Sequence, residues 1–151
     1  MDLNKEKYII IEIIPTSLRP ETGEIVQLSA IKLDGIKLLD RFDYRLKEEL
    51  NPVPDLNEII NYDKDAFIYK ESTQDILDEF LSWSEELPLL ILDNEYTNNY
   101  LKSIPNRKES ILKYLKEEYS DDIINKLIEK YELEPSNYIV DLLFESLIKE
   151  I

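Results

Sequence analysis

Chemistry in this sequence has to rest on carboxylates, hydroxyls, Lys or Tyr, because its 151 residues include no His and no Cys. The lack of Cys excludes disulfides, thiolate nucleophiles and zinc sites of the Cys type, and the lack of His excludes imidazole bases and imidazole metal ligands. With only two Gly, no glycine-rich phosphate loop can be drawn either. Carboxylates are the most numerous groups left, and Glu12 stands out because it interrupts an apolar run from Tyr8 to Ile14.

The charge balance limits which partners the protein can attract. The 33 acidic and 18 basic residues give a net charge of −15, which repels an approaching polyanion and offers it no basic footprint. Nucleic acid binding is therefore disfavoured. Under one interpretation the charge serves solubility alone. Under the other, an acidic face meets a protein partner with a basic surface, including one that itself binds nucleic acid.

The length of the chain predicts a single domain over residues 1–151, which suffices to bury roughly 70% of the unfolded surface. No stretch approaches the roughly 18 uncharged apolar residues of a membrane span, and the Met-Asp-Leu-Asn-Lys start lacks the apolar centre of a signal peptide. We therefore expect a protein without a membrane span, located in the cytoplasm. The oligomeric state stays open.

The elements that must position the lone carboxylate begin with a strand. Lys7–Ile14 is an almost unbroken Ile run of strand length, as expected for a strand buried on both faces. Two prolines then enforce a loop. Glu24–Leu33 and Ile36–Leu46 are rich in β-forming residues and are separated by Asp34-Gly35, a strong hairpin signal. This part of the sequence predicts three antiparallel strands, with the first in the centre.

A helix and one further strand follow. Ser72 begins a pattern typical of a helix N-terminal capping box, with Asp75 in the place of the usual Glu. The apolar stripe of this helix is formed by Ile76, Leu77, Phe80, Leu81 and either Trp83 or Ser84. Leu87–Leu92 is a short apolar run that ends in Asp93-Asn94, which suits a buried strand followed by a helix N-terminus.

Helical patterns fill most of the remainder. They cover Asp55–Asn61, Glu95–Ser103, Glu109–Glu118, Asp121–Tyr131 and Ser136–Lys149. The segment at Ile111-Leu112 reads equally well as strand or helix. The order of strands, then helix, strand and helices predicts an α/β fold in which a mixed β-sheet is flanked by α-helices.

Several strings, in this order, resemble the DEDD superfamily of 3′→5′ exonucleases, which includes polymerase proofreading subunits and oligoribonuclease. The family's first strand has the form aromatic-apolar-apolar-apolar-Asp-x-Glu-Thr-Thr-Gly-Leu-x-Pro, and Tyr8–Pro20 reads YIIIEIIPTSLRP. Glu24–Gly35 is similar to the family's second strand and hairpin, and Asn61–Phe67 takes the place of a turn before the capped helix. The resemblance covers nearly the whole chain and implies a ribonuclease H-like fold.

The resemblance also implies an active site, and here the sequence departs from it. In the family, four carboxylates hold two divalent cations and a His or Tyr activates the attacking water. The corresponding positions are Glu12 in place of an Asp, Ile14 and Asn98 in place of carboxylates, Asp141 as the surviving Asp, and Ser136 in place of the His. In the subgroup that uses Tyr, this Tyr stands four residues before the last Asp, whereas Tyr138 stands three residues before Asp141. The resemblance thus implies a degenerate site with no intact catalytic set, and no cofactor is expected.

One rescue of metal chemistry stays open. Glu95 lies three residues before Asn98, on nearly the same face of a helix, and Asp93 stands at the strand end. Glu12, Glu95 and Asp141 could then hold a single Mg²⁺ or Mn²⁺, although such a site would lack a base and a second cation.

Ten Tyr residues complete the set of candidates. Tyr62, Tyr69, Tyr96 and Tyr100 are candidate interface residues, since Tyr buries much area at low entropic cost; base stacking and ordinary packing are the alternatives.

Three hypotheses follow. The first is a catalytically inactive exonuclease-fold protein that acts as a protein-binding, inhibitory or regulatory module. Its narrower form is a mimic or competitor of nucleic acid on a basic partner, such as a nuclease or a phage-defence complex. The second is a residual metal-dependent 3′→5′ exonuclease on single-stranded DNA or short RNA. The third is a structural subunit that assembles with itself.

Overall fold

The computed structural model describes residues 1–52, 64–104, 107–135 and 138–151, and in these ranges the protein has an α/β fold. The strands are β1 (Lys7–Pro15), β2 (Ile25–Asp34), β3 (Lys37–Leu46), β4 (Ile68–Lys70), β5 (Leu89–Ile91) and β6 (Lys108–Ser110). The helices are α1 (Thr73–Ser84), α2 (Glu95–Tyr100), α3 (Ile111–Leu115), α4 (Ile123–Tyr131) and α5 (Ile139–Glu150), with a 3-10 helix at Lys64–Ala66.

The strands form one mixed sheet of six strands in the order β4-β3-β2-β1-β5-β6. The β1–β2 and β2–β3 pairs are antiparallel, whereas β3–β4, β1–β5 and β5–β6 are parallel. Strand β1 lies in the interior of the sheet because its side chains are apolar on both faces, and every residue from Tyr8 to Pro15 is buried. The predicted antiparallel order of the first three strands and the predicted position of the first strand between two neighbours are confirmed.

The hairpin between β2 and β3 depends on Gly35. Its φ of 60° lies in the left-handed region, which Gly adopts at no steric cost. A Cβ there would lie 2.8 Å from the carbonyl oxygen of Asn4. The Tyr8 hydroxyl donates a hydrogen bond of 2.9 Å to the Gly35 carbonyl oxygen, which ties the turn to β1. The predicted hairpin is confirmed.

The sheet separates two apolar clusters because successive side chains of β1 point to opposite faces. On one face Tyr8 and Ile10 pack with residues of α3, α4 and α5, including Leu127 and Leu147. On the other face the odd-numbered Ile residues of β1 pack with Phe80 of α1 and with residues at the end of α2. This layering leaves the carboxyl end of β1 between helices on both sides.

Helix α1 begins as the capping pattern predicts, since the Ser72 hydroxyl accepts a 3.1 Å hydrogen bond from the Asp75 amide. Ile76, Phe80 and Ser84 are buried, but Leu81 is 43% exposed, so its place in the predicted apolar stripe was wrong. At the other end of α1, Lys32 of β2 donates a 2.6 Å hydrogen bond to the Trp83 carbonyl oxygen. A cation at a helix C-terminus is favourable because the free carbonyl groups are negative there.

The second half of the chain refines two predictions. The helix predicted over Glu109–Glu118 is shorter in the structure. Its first two residues belong to β6 (Lys108–Ser110), which pairs in parallel with β5, and α3 covers Ile111–Leu115. The strand sought at Ile111-Leu112 therefore ends one residue earlier. The helix predicted at Asp55–Asn61 lies outside the described residues. No helix in the described ranges is long and apolar enough to cross a membrane.

Gly23, just before β2, provides a first test of the packing. A Cβ at this position would overlap the Tyr100 hydroxyl and lie 2.9 Å from the backbone oxygen of Arg19. We expect Gly23→Ala to lower the free energy of unfolding by about 1–3 kcal/mol, because backbone has to move to admit the methyl group. Urea unfolding measures the change. The exposed Glu21→Ala is the control, and equal stabilities of the two variants would contradict the close approach.

Candidate functional site

The candidate residues of the first strand lie on one face of the sheet. Glu12 and Ile14 are two residues apart on β1, so their side chains point the same way. Cross-strand pairing aligns Glu12 with Ser29 of β2 and Asp43 of β3, and it aligns Ile14 with Gln27 and Arg45. The site is therefore a polar surface across β1, β2 and β3. It lies on the same face of the sheet as the apolar cluster that α5 covers.

Glu12 is buried in this surface with little compensation. Its side chain belongs to a residue only 2% exposed, and neither carboxyl oxygen has a hydrogen-bond partner of good geometry. Burial raises the pKa of Glu12 to about 8, and an interaction with the Tyr96 hydroxyl opposes this rise only in part. Burial penalises the charged form of a carboxyl group. In the absence of a bound cation, burial therefore favours the protonated form of Glu12.

Ile14 places a hydrocarbon side chain near the carboxyl end of β1. It is 3% exposed and faces the same side as Glu12, where the resemblance implies a second carboxylate. The neighbouring Gln27 is not free to replace it, since its amide donates to Ser29 Oγ at 3.0 Å and its oxygen accepts from Arg45 at 2.6 Å. No anionic oxygen of β1 or of the paired β2 residue takes the place of the missing ligand.

Asp141 lies in the first turn of α5 and is held by an arginine. The Arg41 guanidinium contacts Asp141 Oδ1 at 2.7 Å and Oδ2 at 3.5 Å. The same guanidinium, through Nε, donates to Asp43 Oδ2 at 3.0 Å. Burial lowers the pKa of Arg41, but hydrogen bonds and charges from Asp141 and Asp43 outweigh it and hold that pKa above its ordinary value. Asp141, where the resemblance implies a metal ligand, is thus already paired with a permanent cation.

Sequence reasoning missed Arg41. The two bonded residues are 100 positions apart, and no local pattern links them. A signal was present only in the alternation of β3, where Arg41, Asp43 and Arg45 share one face. This alternation does not reveal the pairing with Asp141, because the pairing depends on how α5 packs against the sheet.

The helix α2 does not supply the missing charge. The Asn98 amide donates to Asp93 Oδ1 and to the Asn94 carbonyl oxygen, each at 3.0 Å, so it is engaged at the N-terminus of its own helix. Asn94 caps that helix by accepting from the Thr97 amide at 2.9 Å, as the sequence predicts. Glu95 is exposed whereas Glu12 is fully buried.

The geometry bears on the proposed single-metal set. Within the ranges that the structure describes, no group of three or more acidic side chains is placed to hold a metal ion. Glu12, Glu95 and Asp141 are all described, and they are not brought together. The donor set is one buried carboxyl, one hydrocarbon, one engaged amide and one paired carboxylate, which does not fit the two-cation site that the resemblance implies.

The remaining candidates have different positions. Tyr69 is 36% exposed and its hydroxyl donates to the Lys64 carbonyl oxygen at 3.1 Å. Tyr96 is half-buried beside Glu12. Tyr100 is only 5% exposed and packs in the core, so the structure does not place it on a surface, contrary to its expected role at an interface. Tyr62 and Ser136 lie outside the described residues.

Tyr138, directly before α5, contributes an aromatic contact to the site. Its ring stacks on Phe67 with 6.0 Å between centroids, and the Arg41 guanidinium lies 5.8 Å from its centre. Arg45 lies 5.5 Å from the Phe67 ring. Two arginines and two aromatic rings therefore cover this end of the polar surface.

Comparison with known proteins gives one partial similarity. The sequence matches no protein-family model. Over 95 residues it is 21% identical to the PolC-type DNA polymerase III of Thermotoga maritima, a stretch that covers 63% of this chain and 7% of that protein. The chain is thus similar, over a small part of the polymerase, to a DNA polymerase, and its mixed sheet flanked by helices is compatible with a ribonuclease H-like fold.

Proposed function

We propose that the protein is a catalytically inactive exonuclease-fold protein of the DEDD type, which acts by binding a protein partner. The resemblance of the first strand, the hairpin and the capped helix supports this assignment. The partial similarity to a DNA polymerase agrees with it, because the superfamily includes polymerase proofreading exonucleases. The ribonuclease H-like fold follows as part of the same proposal.

The observation that carries the loss of catalysis is that Asp141 is already paired with the Arg41 guanidinium. A two-cation mechanism needs several anionic oxygens that are free to bind metal and to hold the attacking and leaving oxygens. Ile14 offers no oxygen and Asn98 no charge. Of the four ligand positions that the resemblance implies, Glu12 alone is then left with a carboxyl group that is not paired with a cation.

The charge supports the binding role. A net charge of −15 favours a basic protein surface over a nucleic acid. A nuclease or another protein that handles nucleic acid presents such a surface, so the protein would inhibit or regulate it by occupying the site of the polyanion. The exposed Tyr69 is one side chain that could anchor the contact. We place this function in the cytoplasm.

A nuclease assay tests the inactivity. We expect no release of nucleotides from single-stranded DNA or short RNA with millimolar Mg²⁺ or Mn²⁺, because the part of the chain that the structure describes brings no three acidic side chains together to bind the cations. The Glu12→Ala, Asp141→Ala double variant is the matched control for a contaminating nuclease. Degradation by the wild type that disappears in the double variant would establish the residual exonuclease and refute inactivity.

A second experiment tests the partner class. Affinity capture from the native host should yield a basic protein whose association weakens steeply with salt, since charge pairs at the rim of an interface are screened. Light scattering on the pure protein addresses self-assembly. A captured partner that is acidic, or binding that salt leaves unchanged, would contradict the electrostatic form of the proposal.

A further inference from the structure

Arg41 forms a salt bridge to another element of the fold, helix α5. It lies on β3, and its guanidinium reaches Asp141 on α5 at 2.7 Å and Asp43 on its own strand at 3.0 Å. The side chains of Arg41, Asp43 and Asp141 are 35%, 12% and 27% exposed. The group is therefore partly shielded from water, where a forked Arg–carboxylate contact is stronger than an ordinary surface pair.

The charges around Arg41 are incompletely balanced. Two carboxylates share one guanidinium, so the trio keeps one negative charge. Asp43 Oδ1 is buried and has no hydrogen-bond partner. In the same cross-strand row lies Glu12, whose two oxygens are also buried without partners of good geometry. Asp43 and Asp141 therefore carry more negative charge than Arg41 neutralises, and carboxylate oxygens are the ligands that hard cations prefer.

We propose that Arg41 is a built-in cation, which takes the place of a divalent metal between Asp43 and Asp141 and holds α5 on the sheet. This inference rests on the proposed function, since it explains how a nuclease-like site persists without metal. The positive charge is covalently attached, so the site keeps it whatever the metal concentration. The Tyr138 ring, 5.8 Å from the guanidinium, helps to hold its plane in position.

The proposal predicts that removal of Arg41 opens a cation site. In Arg41→Met the apolar stem is kept and the charge is lost, so Asp43 and Asp141 repel each other and the melting temperature should fall by about 5 °C. Millimolar Mn²⁺ supplies two positive charges and should restore about 3 °C or more. The wild type should shift by less than about 1 °C under the same conditions.

The matched control is Arg45→Met, on the same strand and face, whose guanidinium donates to the Gln27 amide oxygen at 2.6 Å. This variant should show no Mn²⁺ response beyond that of the wild type. Adding Asp141→Asn to Arg41→Met should abolish the response, because one of the two carboxylates is lost. An Arg41→Met protein that responds to Mn²⁺ no more than the wild type would overturn the proposal.

A second measurement keeps the test valid if Arg41→Met does not fold. Asp141→Ala alone leaves Arg41 and Asp43 paired and removes the oxygen on α5 that accepts from the Arg41 guanidinium. Amide hydrogen exchange in the first turn of α5 should then be faster than in the wild type by about 10-fold; unchanged exchange would refute the clamp. Nuclease activity of the wild type decides the proposed function separately, so the failure of one proposal is distinguishable from the failure of the other.

Discussion

Replacing Glu12 with Gln is expected to remove a pH dependence of about 3–5 kcal/mol from the free energy of unfolding. Burial raises the pKa of Glu12 from 4.5 to about 8 in the folded protein. Between these two values the folded chain keeps a proton that the unfolded chain has released. The unfolded state therefore binds fewer protons, and the stability of the wild type falls as the pH rises from about 4.5 to about 8.

The measurement is urea unfolding of both proteins across this pH range. Other groups titrate identically in the two proteins, so the difference between them isolates Glu12. The free energy of unfolding of Glu12→Gln relative to that of the wild type should rise with pH and level off above about 8. Glu95→Gln, an exposed carboxyl on α2, is the control. If the difference in unfolding free energy between wild type and Glu12→Gln did not change with pH, Glu12 would be ionised in the folded protein. It would then be an anionic candidate for metal binding.

Ile14→Glu introduces a carboxylate at the second position where the resemblance implies one, and we expect it to destabilise the protein without producing nuclease activity. Ile14 is 3% exposed, so the new carboxylate would be buried beside Glu12, and the nearby Arg45 guanidinium already donates to the Gln27 amide oxygen. Burying an unpaired charge and losing an apolar contact together should cost about 3–5 kcal/mol. Nuclease activity should stay absent because, under the proposed assignment, Asn98 stands where a ligand is expected and Ser136 where the base is expected.

The control for size is Ile14→Leu, which keeps the volume and should cost less than about 1.5 kcal/mol. Unfolding with and without millimolar Mn²⁺ separates charge burial from metal binding. We expect Mn²⁺ to leave the Ile14→Glu protein as unstable as before, because Asp141 remains bound to Arg41. Strong stabilisation by Mn²⁺ together with DNA degradation would show that one substitution suffices to rebuild the active site.

The local elements were predictable because their signals are local. The Ile run of β1, the Gly35 turn, and the Ser72 and Asn94 caps each depend on residues a few positions apart, and the structure has all of them. The Glu109–Glu118 helix was predicted too long because parallel pairing with β5 draws Lys108–Ser110 into the sheet. That pairing joins segments with a helix between them, which no short pattern reveals.

That Ile14 and Asn98 supply no charge was readable from the residue types alone, since neither a hydrocarbon nor an amide is ionised. The state of the carboxyl groups that remain was not. Whether Glu12 is ionised depends on how completely neighbouring strands and helices remove it from water. Whether Asp141 is available depends on Arg41, which lies 100 positions away in the chain and meets it only because α5 packs against the sheet.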